Sequence, residues 1–395
     1  MSDPVRPEDF VFSLLRENPP VNEINEQAGE LKENDWHEII KFTTSHSLFP
    51  AFYDRLVKMK ISPVPEDILS HLKGMYLLNL KKNMFLEDEL FKVLDHLKSC
   101  NIPAIPLKGT ALAGLIYKDI ALRQAPCDMD ILVPEDRLIE AEKSLEKLGY
   151  SFLYEAHFNE VEQKFQKMGY SFEHNQHMID ILHKYRSEVS LKKERYGFNL
   201  NIDLHWTFRD KFVNIDIKDF WADIKEVELN GHKILLPPLE VMLYHLTIVS
   251  IARYDFVSIK NIYDIYKLIT LHKEDINWKV MINIVKKNKL NHLLYFTLLI
   301  IEELFKASVP ADVIKELKPG NIKENFLKQW LNKNTILREG NKIAGSYTWR
   351  LFVVNILYSM SFPGTFYMIY KRICFPLYEG LELSFKQIIV SFITY

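Results

Sequence analysis

The sequence predicts an α+β protein in which a small mixed sheet sits between two helical regions. Three observations predict it. Residues 1–100 carry apolar side chains at helical spacing, residues 101–236 interleave short apolar runs with helical patterns, and helical spacing returns over 237–395. A period near 3.6 argues for helices, short apolar runs bounded by Gly or Pro argue for strands, and their alternation argues for a mixed core. A chain of 395 residues is long enough for two or three such units.

In the N-terminal region Asp35 can cap a helix carrying Trp36, Ile39, Ile40 and Phe42, and Leu48, Phe52, Tyr53 and Leu56 continue its apolar pattern. Pro63 and Pro65 interrupt it. A long helix then runs over 66–98, with Leu86, Leu90, Val93 and Leu97 on one face. His37, His46, His71 and His96 stand singly among apolar residues and read as packing or surface groups. At residue 101 the pattern changes. Residues 102–107 form a short apolar run in which Pro103 and Pro106 suggest an edge strand. Lys108-Gly109 opens a short helix over 110–117, and a loop with Arg123 and Pro126 leads to a second strand over 128–133. Leu138, Ala141, Leu145 and Leu148 follow at helical steps, ended by Gly149. Strand-like runs recur at 178–183 and 201–206. Between them the polar stretch 184–200, with Lys192, Lys193 and Arg195, reads as a solvated link. Helical patterns then cover 239–254, 259–272, 278–287 and 290–305.

Composition narrows the function classes. Fifty basic and 52 acidic side chains leave a net charge of −2, which lacks the basic excess of a protein that wraps nucleic acid. Cys100, Cys127 and Cys374 are far apart and form no CxxC pair, so neither a disulfide framework nor a zinc site is indicated. The opening MSDPVRPEDF has no apolar core of a signal peptide, and a cytoplasmic protein is expected. Residues 351–370 carry no formal charge and have about the length that spans a bilayer. Ser359, Ser361, Pro363 and Gly364 interrupt the stretch, so two packed helices joined at Phe362-Pro363-Gly364 are expected, with membrane contact the weaker alternative.

The chemistry concentrates in 107–133, LKGTALAGLIYKDIALRQAPCDMDILV. Asp128 and Asp130 alternate on an apolar strand, so both carboxylates project from one face while Met129 and Ile131 face the other. Like charges this close favour a cation between them, and oxygen-only ligands suit Mg2+ or Mn2+. Upstream, Gly109 permits close backbone approach to a phosphate, and the helix from Thr110 offers free amides and the positive end of its dipole. Lys108 adds a cation, Thr110 a hydroxyl, and Arg123 a guanidinium fork. Each has a plainer reading: a surface lysine, a turn glycine, and an arginine paired with Asp119 or Asp128. Their order in the chain favours the joint reading.

This segment resembles the signature of a little-studied branch of the polymerase-beta-type nucleotidyltransferase superfamily. There Leu-Lys-Gly stands for the usual Gly-Gly or Gly-Ser pair, and an Arg precedes an Asp-x-Asp strand; here these are Leu107-Lys108-Gly109, Arg123 and Asp128-Met129-Asp130. Asp35-Trp36 with Ile39-Ile40, His46, Pro50 and Tyr53 resembles the family's N-terminal helices. Asn201-Ile202-Asp203-Leu204-His205-Trp206 resembles its downstream strand, and Pro238 to Glu240, His245 and Asp264-Ile265 fit its C-terminal helices. Cys127 before Asp128 and the stretch 150–200 depart from the pattern.

The resemblance implies a nucleotidyltransferase core over 101–236 with a carboxylate triad: Asp128 and Asp130, with Asp203 as third metal ligand and possible base. Lys108, Gly109, Thr110 and Arg123 would meet the phosphates of a nucleoside triphosphate such as ATP. Asp180, in Ile179-Asp180-Ile181-Leu182-His183, is the rival for the third place, but lacks the tryptophan of the family's strand. The expected reaction moves a nucleoside monophosphate to a hydroxyl acceptor, which could be a small molecule, a protein or an RNA. The alternatives are a toxin-like enzyme acting on tRNA or protein, a non-catalytic nucleotide-binding scaffold or antitoxin-like partner, and a peripheral membrane protein of lipid or polysaccharide assembly.

Overall fold

The computed structural model describes residues 5–152, 187–207, 209–210, 213–214, 217–252 and 259–321, with 324, 325 and 328. The run containing Asp180 and the apolar stretch 351–370 lie outside the described residues.

The chain starts with four helices, α1 (Pro7–Leu15), α2 (Val21–Glu30), α3 (Glu33–Ser45) and α4 (Phe49–Lys58). Phe10 packs edge-on against Trp36 and Phe52, at 5.6 and 6.2 Å between ring centroids. Asp35 does not cap α3 from outside. It sits in the first turn, where its carboxylate accepts the Lys32 backbone N–H at 2.8 Å. α5 (Glu66–Ser99) is the long helix expected from the apolar spacing. The mixed core then contributes β1 (Ile105–Pro106), the short α6 (Thr110–Leu112) running into a π-helical turn (Ala113–Tyr117), β2 (Asp128–Leu132), α7 (Leu138–Lys147) and β3 (Ser151–Phe152). The first strand is only two residues long because Pro103 and Pro106 leave little backbone free to pair. Gly149 follows α7 at φ 87°, a left-handed position that suits glycine.

β4 (Glu188–Arg195) and β5 (Phe198–His205) complete a five-stranded sheet of order β1-β2-β5-β4-β3. β2 and β5 run parallel; the other pairs are antiparallel. The solvated link expected before Asn201 is therefore largely a strand. Its charges are structural: Lys193 and Arg195 reach Glu89 of α5 at 2.7 and 2.8 Å, and Tyr150 donates to the same carboxylate at 3.0 Å. Glu89 is 1% exposed, and three donors make that burial tolerable. One sheet face, with Met129, Ile131, Val189, Leu191, Leu200, Ile202 and Leu204, is buried in the core. The other carries the polar residues.

Beyond the sheet come α8 (Lys218–Trp221) and a hairpin, β8 (Lys225–Leu229) with β9 (His232–Leu236); two-residue strands at Arg209–Asp210 and Val213–Asn214 precede them as β6 and β7. Asn230 and Gly231, at φ 49° and 82°, make its turn. Among the described residues the helical expectation for the C-terminal region holds as α9 (Leu239–Ala252), α10 (Ile259–Leu271), α11 (Trp278–Lys287), α12 (Asn291–Phe305) and α13 (Ala311–Leu317). Phe305 of α12 meets Phe12 of α1 at 5.5 Å, so the first and last helical regions share one core. No helix among the described residues is long and apolar enough to cross a membrane.

Candidate active site

Register across the sheet assembles the polar face. On parallel β2 and β5, Asp128 lies opposite Asn201 and Asp130 opposite Asp203. Antiparallel β4 adds Ser190 beside Asp203 and Glu188 beside His205. Partners in register point to the same face, and neighbouring strands are about 4.8 Å apart. Asp130 and Asp203 are thus side by side, with Asp128 one pleat along.

Asp130 is the most enclosed of the three, at 6% exposed. Its Oδ1 accepts from Lys108 Nζ at 2.8 Å and lies 3.1 Å from His205 Nε2. His205 Nδ1 in turn lies 3.3 Å from Glu188. Burial alone would raise the Asp130 carboxyl. The Lys108 charge and the His205 hydrogen bond outweigh it and hold the group far below the usual carboxylate range. Asp128 and Asp203 lack that compensation. Burial, then the Asp130 charge, raises Asp128 against the pull of Lys108 and Lys260. Burial pushes Asp203 up to about 6; the Ser190 hydroxyl, donating at 2.6 Å, opposes the rise, and Glu188, Asp128 and Asp130 add to it.

Gly109 stands in the turn before α6 at φ 65°. A Cβ there would come within 3.1 Å of the Pro126 ring and 3.7 Å of the Asp128 carbonyl, so the position needs glycine for its conformation and its space. Leu107 N–H donates to the Asp130 carbonyl at 3.0 Å, which ties this turn to β2. Thr110 is the first residue of the helical turn that follows.

Arg123 pairs with a carboxylate other than the two its plainer sequence reading offered. It is 5% exposed, and Nε and Nη2 donate to Asp264 of α10 at 3.0–3.2 Å, so its partner is neither Asp119 nor Asp128. Tyr117 donates to the same Asp264 carboxylate at 2.7 Å. Two asparagines of α5, invisible to the functional reading of the sequence, hold the adjacent loop. Asn79 Nδ2 donates to the carbonyls of Ala121 and Arg123, Asn83 Nδ2 to those of Ile120 and Arg123, and Asn79 Oδ1 accepts from Ala125 N–H. Lys260 of α10, also unanticipated, has charge coupling to Arg123, Lys108 and Asp128. A buried Asn pair four residues apart on an apolar helix was the available signal for the first; for Lys260 there was none.

Among the described residues, no group of three or more His, Cys, Asp or Glu is already gathered tightly enough to hold a metal ion. The donor chemistry nonetheless fits one. Asp128, Asp130 and Asp203 share a face, burial and then neighbouring carboxylates raise two of them, and oxygen donors suit a hard divalent cation.

No curated protein matches the chain. Among solved structures, an antigenic nucleotidyltransferase-like protein from Paracoccidioides brasiliensis is 17% identical, over 53% of this chain and 91% of that one, with a TM-score of 0.29, a likeness too loose to argue from. The family model described as "Uncharacterised nucleotidyltransferase" matches residues 32–306, from α3 through the mixed core to the end of α12, and the chain belongs to that family.

Proposed function

We propose that the protein transfers a nucleoside monophosphate from a nucleoside triphosphate to a hydroxyl acceptor and releases pyrophosphate. The observation that carries the reading is the register that sets Asp203 beside Asp130 on the face that Asp128 shares. The acceptor oxygen attacks the α-phosphorus, and the bridging oxygen to the β-phosphorus departs with pyrophosphate. A divalent cation held by Asp128, Asp130 and Asp203 would supply charge neutralisation for the triphosphate and acidify the acceptor hydroxyl. The chain's own groups do the rest. The Gly109 turn and the amides from Thr110 onward receive phosphate oxygens. Lys108, now on Asp130, is a cation within reach of the same cleft. His205, held between Glu188 and Asp130, fixes the orientation of the Asp130 carboxylate. Asp203, beside Asp130 in register, is the candidate to take the acceptor proton.

The test is to incubate the protein with each α-labelled triphosphate and a cell extract, with magnesium or with chelator, beside Asp128→Asn. Label should appear in an acceptor only with magnesium, and be lost in the variant. Labelling that survives chelation or the variant would sink the reading. Calorimetry with ATP and GTP should likewise show binding that needs magnesium, because bare carboxylates repel a triphosphate. Binding without transfer to any acceptor would leave a nucleotide-binding scaffold.

A further inference from the structure

The long helix α5 serves the candidate site from one side only. Asn79 and Asn83 face inward and hold the loop that leads to Asp128. The outward face is a surface that the proposed chemistry does not use. Two rows run along it at steps of four and three, Leu77-Lys81-Met84 and Leu78-Lys82-Phe85, which is the spacing of neighbours on a helix. The rows continue into the tip of the β4–β5 hairpin, where the Tyr196 and Phe198 rings lie 6.4 and 5.6 Å from the Phe85 ring. Arg195 stacks over Phe85 and Tyr196 at 5.6 and 5.0 Å, and its ion pair with the buried Glu89 pins the tip to the helix. Among the described residues nine large hydrophobic side chains are exposed. Five of them, Leu77, Leu78, Met84, Tyr196 and Phe198, gather on this patch, each more than half open to solvent. Apolar side chains exposed singly need no explanation, but a contiguous patch marks a contact surface.

Charge identifies the occupant. Residues 68–86 hold three lysines, Lys73, Lys81 and Lys82, and no acid, in a chain whose net charge is −2. All three lysines are exposed. The next exposed acid along the helix, Asp88, is paired with Lys92, and Glu194 projects from the opposite face of the β-ribbon to Arg195. The occupant is therefore anionic, and it also has to accept aliphatic side chains. A single-stranded nucleic acid would use the lysines and the rings but leave Leu77, Leu78 and Met84 in water. An anionic bilayer surface uses both, with apolar side chains among the lipid headgroups and lysines at the phosphates. No helix among the described residues is long and apolar enough to cross a membrane, so the contact is peripheral. We propose that the outward face of α5, with the aromatic tip of the β4–β5 hairpin, is a docking surface for an anionic lipid membrane. The surface stands independently of the nucleotidyl-transfer reading.

The test is flotation of the full chain with vesicles of phosphatidylcholine, alone or mixed with phosphatidylglycerol. The protein should float with the anionic vesicles and much less with the neutral ones, and salt should weaken the association. On the unaltered protein, anionic vesicles should shield Lys81 and Lys82 from acetylation while the exposed Lys279 of α11 stays reactive, as read by peptide mass spectrometry. Leu78→Glu combined with Met84→Glu should weaken vesicle binding at least about ten-fold, the effect of no longer burying two aliphatic side chains. Lys81→Glu combined with Lys82→Glu should lower binding to anionic vesicles by a similar factor. Ile139→Glu, at a comparably exposed apolar position on α7, should change nothing. Lys81 and Lys82 as reactive with vesicles as without them overturn the proposal, as does undiminished binding by the folded α5 variants. The footprint needs no variant, so it decides the matter even if one fails to fold. Shielding by polyuridylate but not by vesicles would overturn it in favour of a nucleic acid, and shielding that grows with protein concentration in the absence of lipid would do so in favour of a second copy of the chain. Failure of nucleotidyl transfer in every protein tested counts against the reaction and leaves the vesicle result unaffected.

Discussion

Asp203→Asn should stabilise the metal-free protein while it abolishes transfer. In the folded chain the Asp203 carboxyl titrates near 6 instead of its ordinary 3.8, because burial and the neighbouring Glu188, Asp128 and Asp130 disfavour its charge. That rise corresponds to at most about 3 kcal/mol of strain on ionisation. Partial exposure and mutual adjustment of the carboxylates lower the figure, and about 1–2 kcal/mol is expected. The folded protein holds this proton more tightly than the unfolded chain, so ionisation costs stability. The cost is absent below about pH 4, grows as pH rises, and is complete above about pH 7. Asparagine removes it and keeps an oxygen to accept the Ser190 hydroxyl, which donates at 2.6 Å. In chelator at pH 8 the variant should therefore melt about 2–4 °C above the wild type, and the difference should vanish by about pH 4. Magnesium should reverse the order by stabilising only the wild type, since a ligand that binds the folded state raises its stability. A variant less stable than wild type at pH 8 in chelator would refute the reasoning, because Asp203 would then be a satisfied structural group.

Two further outcomes follow from the turn and the loop beside the carboxylates. Gly109→Val should lose activity while keeping its helical signal by circular dichroism. Its Cβ meets Pro126 at 3.1 Å and a left-handed φ of 65° costs a branched residue about 1–2 kcal/mol; an active, folded variant would reduce Lys108-Gly109 to a plain turn. Asn79→Ala should cost about 2–4 kcal/mol by urea unfolding, since it strands the Ala121 carbonyl and the Ala125 N–H in the core, while Asn83 still donates to the Arg123 carbonyl. It should also lower transfer by loosening the approach to Asp128, and unchanged stability would show that the loop holds itself.

The parts of this site that follow local rules were legible in the sequence. A period of two puts Asp128 and Asp130 on one face whatever the rest of the chain does, and Gly109 announced a backbone that no other residue suits. Pairing across long separations was not legible. Nothing local says that β2 takes β5 as its parallel neighbour, and only the resemblance of the Asp203 strand to its family pointed there. β4 was hidden by its own charge: Lys193 and Arg195 look like a solvated link until Glu89, about a hundred residues upstream, is seen buried between them. The ion-pair partner of Arg123 was not legible for the same reason, since Asp264 comes from the far helical region. The hairpin at Asn230-Gly231 is another matter. Its Asn-Gly turn signal is local and stands in the sequence.

The distribution of charge in the candidate site leaves two of its carboxylates at a cost that a cation would offset. Asp130 has two donors, Lys108 and His205, and Arg123 has Asp264, so these groups are satisfied without a ligand. Asp128 and Asp203 are not, and both are raised by burial and by their neighbours. A divalent cation between the carboxylates proposed as its ligands would offset that cost, and a triphosphate would bind more readily once those charges are neutralised. Each ligand then improves the site for the other, so magnesium and triphosphate should bind with positive coupling, each raising the other's affinity by the same factor.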